Sequence, residues 1–87
     1  MSVKQKALTL QDRKVLAERW SNGDSAVVIA VEMGFSPSAI YAELRRGDTG
    51  ELDENKRPRY DPELGQTVYQ RNLRSRGNRS RRQAAQN

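Results

Sequence analysis

Residues 29–40 run Ile29-Ala30-Val31-Glu32-Met33-Gly34-Phe35-Ser36-Pro37-Ser38-Ala39-Ile40 and read as the joint between two short helices. Ala30 is small enough to let two helix backbones approach. Gly34, four residues later, suits the left-handed position at which a helix ends. Phe35 plugs the corner, and Ser36-Pro37 supplies an N-cap followed by proline at the first helical position. Ile29, Met33 and Ile40 then fix the second helix against the first. This is the spacing of a helix-turn-helix. One offset departs from the commonest form: the last apolar anchor, Leu44, lies four residues after Ile40 rather than three.

Working outward, Ser25 caps the helix before the joint, predicted over residues 25–33 with Val28, Ile29, Val31 and Met33 as its apolar positions. Taken alone, Ala26-Val27-Val28-Ile29-Ala30-Val31 is β-branched enough to be a strand. Gly34 and the capped helix that follows decide for a helix. Upstream, Leu8-Thr9-Leu10-Gln11-Asp12 offers Thr9 as N-cap with Asp12 three residues on. A first helix over 10–21 follows, with Leu16 and Trp20 on one face and Arg13, Lys14, Glu18 and Arg19 on the wet face, until Ser21-Asn22-Gly23-Asp24 breaks it. The helix after the joint spans 37–46, with Ile40 and Leu44 inward. Residues 47–60 are polar and turn-rich, a loop, a short hairpin or a wing. Asp61-Pro62-Glu63 opens a further helix over 62–74, with Leu64 and Val68 on one stripe and Tyr69 and Leu73 on the next.

The expected fold is therefore all-α, a small helix-turn-helix bundle of three core helices plus a C-terminal helix. Its predicted parts are a flexible N-terminus (1–7), the core (8–46), the loop or wing (47–60), the helix (61–74) and a disordered Arg-rich tail (75–87), which has nothing to bury.

The chain has 87 residues, 34% of them apolar, so it holds one small domain at most. It contains no His and no Cys, which removes the usual general base, the thiol nucleophile and the common zinc, haem and iron–sulfur ligands. The eleven acids are scattered, with no apolar pocket to tune a carboxylate pair, so no enzyme is expected, and no cofactor, metal site or small-molecule substrate. No run approaches the roughly 18 apolar residues of a membrane span. The net charge is +5, but its distribution is uneven: residues 1–63 hold 10 Lys and Arg against 11 acids, whereas residues 64–87 hold six Arg and no acid. The positive excess lies in the last quarter.

With Ile40 and Leu44 inward, Ser38, Tyr41, Ala42 and Arg45 fall on the outward face of helix 37–46, with Ser36 and Pro37 at its N-terminal end. Such a face fits the major groove. Arg45 can donate in a fork to guanine or grip a phosphate, Tyr41 can bond a phosphate or pack on a thymine methyl, and the amides of Ser38 and Ala39 can meet a phosphate at the positive end of the helix dipole. Arg46 lies at the same helix end. Glu43 would be repelled by phosphates and is read as structural, pairing with a basic side chain of the first or last helix. Lys56, Arg57 and Arg59 are either a wing beside the groove or a solvated loop. Arg74, Arg76, Arg79, Arg81 and Arg82 form an arm that can neutralise phosphates or lie in a minor groove. Leu16, Trp20, Ile29, Ala30, Met33, Gly34, Phe35, Ile40 and Leu44 are the expected structural core.

Leu8-Thr9-Leu10-Gln11-Asp12-Arg13, Ile29-Ala30 and Met33-Gly34-Phe35-Ser36-Pro37-Ser38-Ala39-Ile40-Tyr41-Ala42-Glu43-Leu44-Arg45-Arg46 together resemble the N-terminal helix-turn-helix of insertion-sequence-thirty-type transposases and their stand-alone relatives. That family reads L-T-x-x-x-R, then I-A, then L-G-x-S-P-S-T-I-S-R-E-L-x-R. Its following Y-x-x-x-x-A-Q helix is echoed by Tyr60-Asp61-Pro62-Glu63-Leu64-Gly65-Gln66, with Gly65 in place of Ala. Ala42 stands where the family has Arg, and Tyr41 where it has Ser, so a contact of that family is altered here. The family's acidic catalytic domain has no counterpart. The resemblance implies a DNA-binding module without the recombinase.

The combined expectation is a cytoplasmic, nucleoid-associated bacterial or phage protein that binds specific double-stranded DNA through helix 37–46. It would be a small transcriptional regulator or accessory factor of a mobile element, with a possible homodimer through helix 62–74 and no membrane partner. The alternatives are a protein-interaction adaptor with a basic tail, and an RNA binder using the Arg-rich segment.

Overall fold

The computed structural model describes the backbone of residues 7–86 and the side chains of residues 7–76. The elements run α1 (Leu10–Ser21), α2 (Ala26–Met33), α3 (Pro37–Arg46), β1 (Asp48–Leu52), β2 (Pro58–Tyr60) and α4 (Pro62–Gln86).

Each of the first three helices begins at the predicted cap. Thr9 Oγ1 accepts from the Asp12 amide at 3.0 Å while Asp12 Oδ2 accepts from the Thr9 amide at 3.0 Å, a reciprocal capping box built with Asp. Ser25 Oγ accepts from the Val28 amide at 3.2 Å, and Ser36 Oγ from the Ala39 amide at 3.1 Å, with Pro37 opening α3. Gly34 ends α2 with φ +81°, and its amide and that of Phe35 both donate to the Ala30 carbonyl at 2.9 Å. The chain bends by 114° between α2 and α3, as a helix-turn-helix requires.

The core gathers Leu8, Leu16, Trp20, Ala26, Ile29, Ala30, Ile40 and Tyr60, with Ala17, Met33, Phe35 and Leu44 packed against it. Two sequence readings are corrected here. Val28 and Val31 do not face inward: α2 buries Ala26, Ile29 and Ala30, and the opposite side exposes Val27, Val28 and Val31. Spacings of three and four from Ala26 select that inward stripe, and the valines fall about half a turn away. Arg13 is not on a wet face but is 2% exposed.

Residues 47–60 are a hairpin, so the fold is not purely α. β1 pairs antiparallel with β2, Asp48 opposite Tyr60 and Leu52 opposite Pro58, with an irregular register between those pairs. β1 holds two more residues than β2 between those pairs, so it bulges, and Gly50 takes φ +88° within it. The tip is closed by Asp53, whose Oδ1 accepts from the amides of Asn55 (2.8 Å) and Arg57 (3.0 Å).

Asp61 caps α4 by accepting the Glu63 amide at 3.0 Å. The helix packs on α1 and α3 and continues to Gln86. The backbone of residues 75–86, expected to be a disordered tail, is therefore helical. A helix already nucleated by packing can extend through the Arg, Gln and Ala that make up most of this stretch, against the weaker helix formers Ser75, Asn78 and Ser80 and the poorest, Gly77. Among the described residues no single helix is long and apolar enough to cross a membrane.

Candidate nucleic-acid interface

The outward face of α3 exists because its inward face is held by a buried charge cluster. Glu43, fully buried, lies three residues after Ile40, the place where the commonest motif spacing puts an apolar anchor. Its carboxylate accepts from five donors. Oε2 receives Arg13 Nε at 2.8 Å and the Tyr60 hydroxyl at 2.7 Å. Oε1 receives Arg13 Nη2 at 3.1 Å and Arg46 Nε and Nη2 at 3.1 and 2.9 Å. Arg13 Nη1 also donates to the Leu8 carbonyl at 2.5 Å. The guanidinium groups of Arg13 and Arg46 each lie 5.2 Å from the centre of the Tyr69 ring. One carboxylate thus ties α3 to α1, β2 and, through Tyr69, α4. Burial, then the hydrogen bond to Glu43 and its negative charge, hold the Tyr60 hydroxyl well above the usual tyrosine range, so it stays a neutral donor.

Two close approaches complete the cluster. Gly47 is buried where a Cβ would overlap the Tyr60 ring, and Gly65 where a Cβ would overlap the Glu43 carboxylate. Gly65, the position where the resembled family has Ala, gives the carboxylate its room.

The expected contact residues separate into two groups. Ser36, Pro37, Ser38, Tyr41 and Arg45 are exposed, and Ala42 is half-buried beside them. The Ala39 amide is engaged by Ser36 Oγ, which leaves the Ser38 amide as the first-turn donor toward an anion. Lys56, Arg59, Arg74 and Arg76 are exposed as well. Two expected contacts are corrected. Arg46 is drawn inward by Glu43 and Tyr69, with its side chain 22% exposed. Arg57 lies 3.5 Å over the Trp20 ring and donates to the Asp24 carbonyl at 2.9 Å and to the Trp20 carbonyl. It is a staple between the hairpin and the α1–α2 junction, helped by Asn55 Nδ2 donating to the Ser21 carbonyl at 3.0 Å. The side chains of Arg79, Arg81 and Arg82 lie outside the described residues.

Sequence reasoning missed Arg71, which is exposed on α4 one turn before Arg74. It also placed Arg13 on the wet face, although it expected Glu43 to pair with a basic side chain of the first or last helix. The available signal was a Glu at the inward offset of α3, which has to meet a partner from elsewhere in the fold. As expected, Glu43 is structural, and its partner on α1 is Arg13.

The bundle, its 114° joint and the exposed side of α3 define a helix-turn-helix domain. Residues 4–47, half of the chain, match the family model described as helix-turn-helix domain, and the chain belongs to that family, a DNA-binding family found in transposase N-termini. No curated protein and no solved structure is significantly similar to it.

Proposed function

We propose that this protein binds specific double-stranded DNA as a small transcriptional regulator or accessory factor of a mobile element or phage, placing α3 in the major groove. The observation that carries the reading is the division of α3. Both carboxylate oxygens of Glu43 are engaged inside the fold, while Ser38, Tyr41 and Arg45 are exposed on the outward side. Ser36 and Ser38 then approach a phosphate at the positive helix end, and Tyr41 and Arg45 approach base edges. Arg71, Arg74 and Arg76 on α4, with Arg79, Arg81 and Arg82 further along the same helix, grip the backbone. Lys56 and Arg59 add charge from the hairpin, whose tip is tied to the α1–α2 junction.

A homodimer on two half-sites is part of the proposal. Tyr69 is engaged by Arg13 and Arg46, so the exposed aliphatic groups available for such a contact are Leu73 on α4, the valines of α2 and Leu52 on β1. Those valines, Val27, Val28 and Val31, also favour a second reading, an adaptor that binds another protein while the Arg-rich helix only adds charge.

A mobility-shift titration with duplex DNA at two salt concentrations separates the readings, using wild type, Arg45→Ala and a truncation after Leu73. Arg45→Ala is expected to weaken a selected site more than random duplex. If it changes neither affinity nor selectivity while truncation abolishes binding, α3 is not the reading element.

A further inference from the structure

A cleft of about 250 Å³ opens beside the outward face of α3, walled by Trp20, Tyr41, Leu44, Arg45, Asp48 and Pro58. Its floor is rigid. The Trp20 ring is covered on one side by the Arg57 guanidinium, and its Nε1 donates to the Pro58 carbonyl at 2.8 Å. Tyr41, 51% exposed, stands at the mouth. Four walls are largely carbon, and the two charged ones are placed apart in the chain: Arg45 on α3 and Asp48 at the start of β1.

That lining selects among the groups DNA can offer. Asp48 repels phosphate, so the sugar–phosphate backbone is a poor occupant. Among the base edges in the major groove, which are otherwise mostly polar, thymine alone presents a methyl group, at C5. A carbon-lined recess that shares Tyr41 and Arg45 with a groove-reading face matches that group, and its size admits the pyrimidine C5–C6 edge with the methyl.

We propose that this cleft is a thymine-reading subsite, which takes the C5 methyl of a thymine next to the base that Arg45 contacts, with Tyr41 as its exposed wall. The inference rests on the groove-reading assignment above. It makes part of the base choice depend on burial of a methyl group rather than on hydrogen bonds.

The test uses a short duplex recovered by selection from random DNA, in which each thymine is replaced in turn by deoxyuridine. This removes only the methyl and leaves the pairing intact. Binding of the full chain is followed by fluorescence anisotropy for wild type and Tyr41→Ser. At one thymine or more, the replacement is expected to weaken wild-type binding about three- to fivefold, the size of one buried methyl. Tyr41→Ser, at an exposed position that leaves the fold intact, is expected to erase most of that difference. If every deoxyuridine duplex binds like its parent while Arg45→Ala still relaxes base choice, the subsite is wrong and the groove reading stands. A loss that persists undiminished in Tyr41→Ser places the methyl elsewhere and overturns the subsite. If selection recovers no preferred duplex, the groove reading falls and the subsite with it.

Discussion

Removing the Glu43 carboxylate would leave Arg13, which is 2% exposed, as an uncompensated buried charge, and would free Arg46 and the Tyr60 hydroxyl from their acceptor. Breaking such a pair from one side costs about 3–5 kcal/mol, a large share of the roughly 5–15 kcal/mol that holds a small domain together. Glu43→Ala is therefore expected to be largely unfolded by urea titration under conditions where wild type is folded. Gly65→Ala should cost about 1–3 kcal/mol in the same assay, because the new methyl pushes into a carboxylate held by five donors. Tyr60 gives a pH signature. Its folded pKa is raised, so the stability it lends is full below the unfolded value of about 10 and is lost as pH rises beyond it. Tyr60→Phe should flatten the fall in denaturation midpoint between about pH 9 and 11. At this scale the sequence was only partly legible. An arginine within α1 looks like a surface residue to any periodicity argument, because the carboxylate that draws it inward comes from 30 residues away.

Among the elements, the helices were legible because their ends are chemical: Thr9, Ser25 and Ser36 each engage an orphan amide, and Gly34 takes the left-handed turn that a Cβ would strain. The bounds of α1 and α3 match the expected ones for that reason. The side of α2 that faces inward was not legible, since six of its first six residues are apolar or small and only the packing partner distinguishes them. The hairpin was open between loop and strand because its stability is tertiary: Tyr60 enters the core and Arg57 stacks on Trp20, neither of which a local pattern reveals. That placement predicts the behaviour of Arg57. Arg57→Ala should lower stability by about 1–3 kcal/mol through lost stacking and lost bonds to two carbonyls, and leave the salt dependence of DNA binding unchanged. A thermal melt and a salt-dependent DNA titration on the same variant check both halves. A shallower salt slope would put Arg57 back at the interface.

For the molecule as a whole, the charge asymmetry becomes spatial. Six arginines and no acid follow residue 63, and α4 carries all of them along one helix leaving the bundle. Truncation after Leu73 removes five of these. If each neutralises one phosphate, the slope of log affinity against log salt should become shallower by up to about 4.5, at roughly 0.9 per contact, with base preference intact. The extent of that helix is not legible in the sequence because the stretch has no apolar stripe, and its continuation depends on the first turns of α4 being packed. The inward and outward sides of α3 divide their duties as cleanly as the two ends of the chain. Since Glu43 and Ile40 secure the helix from behind, the proposed groove reading makes Ser38, Tyr41, Ala42 and Arg45 a label that can be rewritten without touching the frame that displays it. Relatives with the same scaffold could thus address quite different operators, and exchanging these four residues as a block should redirect the protein to new sequences while its melting temperature hardly moves.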